Sequence, residues 1–241
     1  MMRGTLESKS LWYRYKTKVW LDNTPETAVV HNAMRVLRSI RYSGDFAYVS
    51  NPITSGKFLY ELMLERPLVR RETQVKLAME HNYRAGLNFV RILRQRLVCP
   101  IIYPADLAPA RQQWEQDHFQ ALWLSITAEK CTELHMADGW EFSNGCSEEL
   151  VHAMQLRLGL PRHSNLVFYN TKENEENERM RMRNIKVFDH VGSPLCLKDG
   201  IDRIESALSW LKRHDLEAKK LKDCLGLLRW TEDMLSEKFY Q

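Results

Sequence analysis

Short apolar runs alternate with longer amphipathic segments along the middle of the chain. Apolar runs of strand type are predicted at 46–50, 99–103, 132–136, 166–169 and 185–188. Apolar residues that recur every three or four positions predict helices at about 72–97, 110–129, 147–158, 199–213 and 215–238. Alternating strands and helices imply a sheet whose strands are joined by crossover helices. The pattern therefore predicts an α/β fold with a mainly parallel sheet.

The chain divides into three predicted parts. Residues 1–42 form a helical N-terminal extension, in which Thr24 caps a helix and Pro25 occupies its first turn. Residues 43–195 form the α/β domain, and residues 196–241 form C-terminal helices that pack on it. The last of these helices is amphipathic, so its apolar face packs on the core of its own chain or, alternatively, on a second copy.

Charge and cysteine content narrow the class of protein. The formal charge is +4, from 35 basic and 31 acidic residues, which is typical of a solvated surface. An aromatic and basic stretch at 12–16 would suit stacking on single-stranded nucleic acid, but such a group more often packs against its domain. Five widely spaced cysteines, none in a CxxC pair, indicate buried thiols in a reducing compartment. We expect a cytoplasmic protein with neither a membrane nor nucleic acid as partner.

Three polar segments follow the predicted strands. They lie at 50–57, 104–114 and 138–149, and all are rich in glycine, proline and short polar side chains. Ligands of open parallel sheets bind beyond the carboxyl ends of the strands, so these segments should converge on one crevice. The first runs into Gly-Lys-Phe at 56–58, where a phosphate loop needs serine or threonine in the last place, and no GxGxxG fingerprint occurs. Neither a cofactor nor a metal is therefore expected.

Glu149 is the strongest candidate for chemistry. It falls in the first turns of a predicted helix that leaves the sheet at the crevice. The positive end of that helix is expected to keep the carboxylate ionised. An ionised carboxylate that faces the crevice suits attack on a sugar anomeric carbon, or stabilisation of an oxocarbenium ion. The alternative is that Glu148 and Glu149 simply favour a helix N-terminus.

The segment around this glutamate carries a longer motif. It reads Gly-Trp-Glu-x-Ser-x-Gly-x-x-x-Glu from Gly139 to Glu149, directly after a short strand. This motif resembles that of the nucleoside 2-deoxyribosyltransferase-like superfamily, including its poorly characterised bacterial and phage branches. Three further segments resemble the family's first strand and substrate loop, its second strand and its next helix: 48–52, 102–105 and 114–119. The resemblance covers about 45–155 and implies a flavodoxin-like three-layer α/β sandwich.

The resemblance also implies roles for individual residues. Characterised members cleave N-glycosidic bonds through a glutamate, which corresponds by motif position to Glu149. Asp117 would assist as an acid or bind the sugar. Trp114 and Trp140 would stack on the base, unless they belong to the core. The full set of implied contacts to ribose, phosphate or base is Ser50, Asn51, Pro52, Trp114, Gly139, Trp140, Ser143 and Gly145.

Two functions follow from the resemblance. The first is an N-glycoside hydrolase or transferase that acts on a nucleoside, a nucleotide or a related N-ribosyl compound through a glutamate nucleophile. The alternative is a non-catalytic nucleotide-binding or sensing protein of the same fold, which the unusual Cys146 and the unmatched termini favour. Related proteins often complete the pocket with a neighbouring subunit, so a homo-oligomer is implied.

Overall fold

A four-stranded sheet lies at the centre of the computed structural model, which describes residues 46–107, 116–157 and 185–239. All of its strand pairs are parallel, and the spatial order is β2-β1-β3-β4. The strands are β1 Phe46–Ser50, β2 Ile101–Ile102, β3 Cys131–Met136 and β4 Lys186–Phe188. The helices of the described residues are α1 Lys57–Glu65, α2 Arg71–Arg94, α3 Gln116–Lys130, α4 Asn144–Arg157, α5 Leu197–Arg213 and α6 Lys219–Phe239.

The strand order identifies the type of fold. An order that begins 2-1-3-4, with every strand parallel, is that of flavodoxin-like proteins. The predicted α/β flavodoxin-like fold is thereby confirmed. The direction in which the chain winds reverses between β1 and β3, and a crevice opens at such a point beyond the carboxyl ends of the two strands. That edge of the sheet is where Ser50 and Met136 end their strands.

The two faces of the sheet bury different helices, which makes the three layers. Val49 of β1 packs on one face with Val90 and Leu93 of α2. Its neighbour Tyr48 points to the other face and joins the main core with residues of α3 and α4. Successive side chains of a strand alternate between faces, so β1 is buried on both sides and is almost continuously apolar.

Helix α4 lies between the sheet and the C-terminal helices. Ten of its residues are buried, which is the pattern of a helix that is covered nearly all round. Leu150 of α4 shares one apolar cluster with Ile204 of α5 and Leu228 of α6. Full burial of each such side chain stabilises the fold by about 1.5–3 kcal/mol. The C-terminal helices therefore belong to the same core as the sheet.

Two elements differ from the sequence prediction. Helix α1 was not predicted; Gly56 begins it without a side-chain cap, and a helix this short depends on tertiary packing rather than on its own propensity. Strand β2 contains only Ile101–Ile102, since Pro100 and Pro104 on either side cannot donate a backbone hydrogen bond to a ladder.

Several predictions lie outside the described residues. They are the N-terminal extension at 1–42, the strand at 166–169 and the first part of the helix at 110–129. The strand predicted at 185–188 is present as β4. Across the described ranges, none of the helices combines the length and the apolar character that crossing a membrane requires.

Candidate functional site

A cavity opens where the loops after β1 and β3 meet, and we call it the Glu149 cavity. Its volume is about 260 Å³, just below the range of about 300–1,000 Å³ that is typical of small-molecule sites. The walls come from the loop after β1, helix α1, the first residues of α2 and α6, the inner side of α3 and the first turns of α4. Its lining includes Asn51, Ser55, Gln120, Ser143, Gly145 and Glu149. Four of these were predicted as site residues from the sequence, namely Asn51, Ser143, Gly145 and Glu149.

Glu149 is held by a buried hydrogen bond. Its side chain lines the cavity although the residue is only 5% exposed. The hydroxyl of Tyr48 donates to Glu149 Oε1 over 2.6 Å. Burial raises the pKa of Glu149 to about 7, against the smaller lowering effects of Ser50 and Tyr48, and the Glu148 charge adds to the rise. Both the ionised and the neutral form of Glu149 are therefore present near neutral pH.

The prediction that a helix end keeps Glu149 ionised was wrong. Helix α4 begins at Asn144, three residues earlier than predicted, so Glu149 lies in the second turn. The favourable field of a helix end fades within the first turn. The free-energy cost of removing the carboxylate from water exceeds the stabilisation that the helix end provides. The neutral form of Glu149 is therefore favoured and the pKa rises.

Ser50 lies at the end of β1, beneath the Glu149 carboxylate. It is fully buried, and its hydroxyl makes no hydrogen bond of regular geometry with a described group. It is nevertheless near enough to lower the pKa of Glu149. Both Ser50 and Tyr48 therefore favour the ionised carboxyl, and the Tyr48 hydroxyl makes the hydrogen bond of regular geometry that holds it.

Two asparagines hold the loop between β1 and α1. Asn82 projects from the buried face of α2 and donates to the carbonyls of Ile53 and Ser55, over 3.0 and 2.8 Å. Asn51 donates to the carbonyl of Asn82 and to that of Pro52. Hydrogen bonds to helix α2 therefore hold in place the loop that forms one wall of the cavity.

The loop after β3 is tied to the same wall. Ser143 Oγ and Ser55 Oγ form a 3.1 Å hydrogen bond between the two loops. Ser143 also accepts a long hydrogen bond from the amide of Cys146, which places it at the cap of α4. Gln120 of α3 donates to the carbonyl of Gly145. The lining residues therefore form one connected hydrogen-bonded frame.

Four described residues of the predicted contact set do not line the cavity, namely Ser50, Pro52, Gly139 and Trp140. Pro52 is buried against Gly56, where its ring would meet a Cβ at 2.7 Å. Gly139 adopts φ +72, the left-handed conformation that lets the chain turn before the short 3-10 segment Trp140–Phe142. Trp140 is 0% exposed and lies in the main core, which is the alternative to base stacking that the sequence left open for it. These residues determine the conformation of the loops without contacting the cavity.

In comparisons with models of protein families, with curated proteins and with solved structures, nothing matches this chain.

Two predicted residues remain as predictions. Trp114 lies outside the described residues, and so does the side chain of Asp117, whose backbone is in the first turn of α3. Gln120, three residues further along the same helix, does line the cavity. That end of α3 therefore borders the site.

Several residues that build the site were not predicted from the sequence. Tyr48 reads as an ordinary strand residue, because its partner is 101 positions away. Asn82 had a weak signal, since a polar residue sits on the apolar stripe of a helix. The sequence contains no signal for Arg71 and Lys220, because they belong to helices that reach the cavity only in the folded chain.

Proposed function

We propose that the protein is an N-glycoside hydrolase or transferase that uses Glu149 as its nucleophile on a nucleoside, a nucleotide or a related N-ribosyl compound. The observation that carries the proposal is the Glu149 carboxyl itself. It lies on the wall of a cavity at the switch point of a flavodoxin-like sheet, and the Tyr48 hydroxyl fixes one of its oxygens. A positioned carboxylate in a small cavity suits a reaction at an anomeric carbon.

The chemistry proceeds in two displacements. One carboxylate oxygen of Glu149 bonds to the anomeric carbon, while the C–N bond breaks and its electron pair leaves on the base. The base takes up a proton, for which Asp117 is the predicted donor. Water or a second base then attacks the same carbon and gives its proton to the Asp117 carboxylate, which the first step left deprotonated, while the bond to Glu149 breaks and its carboxylate is released. Because Tyr48 holds Oε1, we assign the attack to the other oxygen.

Free base released from a substrate panel tests the proposal. The panel contains ribo- and 2-deoxyribonucleosides and their 5′-monophosphates, and chromatography follows the base. We expect release with at least one member, and a loss of about 1,000-fold or more in Glu149→Gln. Glu148→Gln is the matched variant, one position away in the same helix, and should lose far less. No release from any member, or full activity in Glu149→Gln, contradicts the nucleophile assignment.

The raised pKa of Glu149 favours a second candidate, a non-catalytic nucleotide-binding or sensing protein. Below about pH 7 the carboxyl is mainly neutral, and a neutral carboxyl hydrogen-bonds to a ligand instead of attacking it. A thermal-shift series with the same panel separates the two functions. Stabilisation that grows with ligand concentration, without any release of base, supports the binding protein.

A further inference from the structure

Gln120 is a buried polar side chain of α3 on the wall of the Glu149 cavity. The residue is 9% exposed, and its buried neighbours on the same helix include Leu122 and Ile126. A buried glutamine amide normally has hydrogen-bond partners at both its nitrogen and its oxygen. The partners of Gln120 therefore indicate whether it serves the core or the site.

The nitrogen of this amide has its partner within the protein. Gln120 Nε2 donates to the carbonyl oxygen of Gly145, in the first turn of α4, over 3.2 Å. A carbonyl oxygen can only accept, so the amide cannot turn over without losing this hydrogen bond. The position of Gln120 Oε1 is thereby fixed as well.

The oxygen of the amide is left for a ligand. Among the described residues, no group donates a hydrogen bond to Gln120 Oε1. This oxygen is also not one of the polar atoms that the protein encloses completely, and the open space that Gln120 borders is the Glu149 cavity. A fixed acceptor therefore faces the cavity.

A glycine keeps the space beside this oxygen free. Gly145 lies in α4 without a positive φ, so its backbone conformation does not require glycine, which disfavours a helix relative to alanine. A Cβ added at Gly145 would lie 3.1 Å from Gln120 Oε1, and among the described residues it would meet no other side chain within 4 Å. The glycine is therefore explained by the oxygen beside it, which a larger residue would crowd.

The chemistry of the wall indicates what this oxygen binds. An amide oxygen only accepts, so its partner carries an N–H or an O–H. Glu148 and Glu149 line the same cavity, and the Glu148 charge raises the pKa of Glu149, so the two carboxyls lie near each other. Negative charge on the wall disfavours an anionic group, so a neutral donor fits best.

We propose that Gln120 is a specificity-determining residue, whose Oε1 accepts a hydrogen bond from an N–H or O–H group of the substrate. This inference rests on the proposed function and narrows its substrate class to N-glycosides that carry a donor at the matching position. Two parts of a nucleoside supply such a donor, namely the exocyclic amino group of a base and a hydroxyl of ribose. A substrate without the donor leaves the buried oxygen without a partner and is cleaved less efficiently.

Pairs of substrates that differ in one donor test the inference on the full chain. Adenosine with inosine, and cytidine with uridine, differ in the amino group of the base. Adenosine with 2′-deoxyadenosine, and with 3′-deoxyadenosine, differ in a ribose hydroxyl. They are used as nucleosides or as 5′-monophosphates, whichever release base, and kcat/KM is measured for each. Intrinsic reactivity differs within a pair, so the measured quantity is the change that a variant makes to the ratio of the two kcat/KM values.

Gln120→Met keeps the length of the side chain and removes the amide. We expect it to lower the preference for the donor by about tenfold or more, either in the amino pairs or in one hydroxyl pair, and to leave the other ratios unchanged. The affected pair identifies the source of the donor. Gly145→Ala, which crowds Oε1, should lower the same preference, and it gives the test if Gln120→Met does not fold. Gln74→Met is the matched control, because the equally buried Gln74 amide donates to the carbonyl of Arg66 and does not line the cavity.

An equal loss of kcat/KM for every substrate in Gln120→Met overturns the inference, and so does an unchanged kcat/KM for all of them. Far-ultraviolet circular dichroism of each variant confirms that it is folded. Glu149-dependent release of base whose ratios are the same in Gln120→Met refutes this inference and leaves the proposed function. If no substrate releases base, isothermal titration compares the same pairs. A binding preference that depends on Gln120 then supports this inference while the proposed function fails, and binding without such a preference overturns both.

Discussion

At the scale of single residues, the hydrogen bond between Tyr48 and Glu149 joins the centre of a strand to the second turn of a helix. Both partners are almost fully buried, and the bond is 2.6 Å long. A buried carboxyl without a donor would lose its charge, and an unguided one would rotate away from the substrate. Tyr48 opposes both effects, which makes it a positioning residue for Glu149.

The raised pKa of Glu149 predicts how stability depends on pH. The pKa is about 7 in the folded chain against an ordinary value of 4.5, so the folded state binds the proton more tightly. The stability that protonation contributes is complete below about pH 4.5 and is lost as the pH rises through 7. Glu149→Gln removes this dependence, and it should gain about 1–3 kcal/mol on the wild type between pH 5 and pH 8. Urea unfolding of the wild type and of Glu149→Gln at pH 5 and at pH 8 measures the gain. If the difference in unfolding free energy between the two proteins is the same at both pH values, the assigned pKa is contradicted.

Tyr48→Phe tests the positioning role. The variant keeps the ring in the core and removes only the hydroxyl that donates to Glu149. The pKa of Glu149 should rise further, so the midpoint of the pH–rate profile should move upward by about one pH unit. The midpoint is read from base release between pH 5.5 and pH 9. Tyr83→Phe, on the exposed side of α2, is the control, and an unmoved midpoint in Tyr48→Phe would refute the role.

At the scale of elements, helix α2 holds the loop that forms one wall of the cavity. Its buried stripe is unusually polar, with Gln74 and Asn82 among the residues that face inward. Gly86 on the same stripe permits close approach, because a Cβ there would lie 2.2 Å from the Tyr103 hydroxyl. The buried stripe of α2 therefore holds the cavity loop in place as well as packing on the core.

Asn82→Ala should release that loop. It removes two donors and leaves the carbonyls of Ile53 and Ser55 without them, at a cost of about 1–3 kcal/mol in unfolding free energy. The rate of base release should fall as well, since Ser55 lines the cavity. Asn88→Ala on the exposed side of the helix should stay within about 0.5 kcal/mol of the wild type. If the two variants unfold alike, the loop does not depend on Asn82.

The sequence predicts elements of this fold better than it predicts their contacts. Strands β1, β3 and β4 are long or apolar enough to be found from periodicity, and the motif from Gly139 to Glu149 marks one wall of the cavity. The sequence does not predict helix α1, because tertiary packing stabilises it rather than a cap or helix propensity. The sequence does not predict the raised pKa of Glu149 for a similar reason. The burial of its carboxyl depends on segments that are remote in the chain.

At the scale of the whole molecule, both C-terminal helices complete the core, and α6 also reaches the cavity. Helix α5 approaches α4 closely at Gly200, where an added Cβ would lie 2.9 Å from Leu150 Cδ2. Helix α6 packs on α4 and brings Lys220 to the cavity wall. Helix α6 therefore contributes both to the core and to the wall of the cavity.

Two glycines of these helices give a matched test of that packing. Gly200→Ala forces Leu150 or the helix to move, whereas Gly226→Ala meets nothing within 4 Å. Gly226→Ala should gain about 0.5–1 kcal/mol from helix propensity, and Gly200→Ala should lose about 1–3 kcal/mol from overpacking. Thermal unfolding of both variants provides the comparison. Equal gains would mean that α5 does not approach α4 this closely.

A covalent adduct on Glu149 is the most direct test of the central claim. The protein is mixed with the member of the substrate panel that releases base fastest, quenched within milliseconds to seconds, and measured by intact-mass and peptide mass spectrometry. We expect the peptide that contains Glu149 to gain the mass of the sugar part of that substrate, including its phosphate where it has one, and we expect no adduct in Glu149→Gln. Release of base at an unchanged rate by Glu149→Gln, or an adduct on another residue, would contradict it.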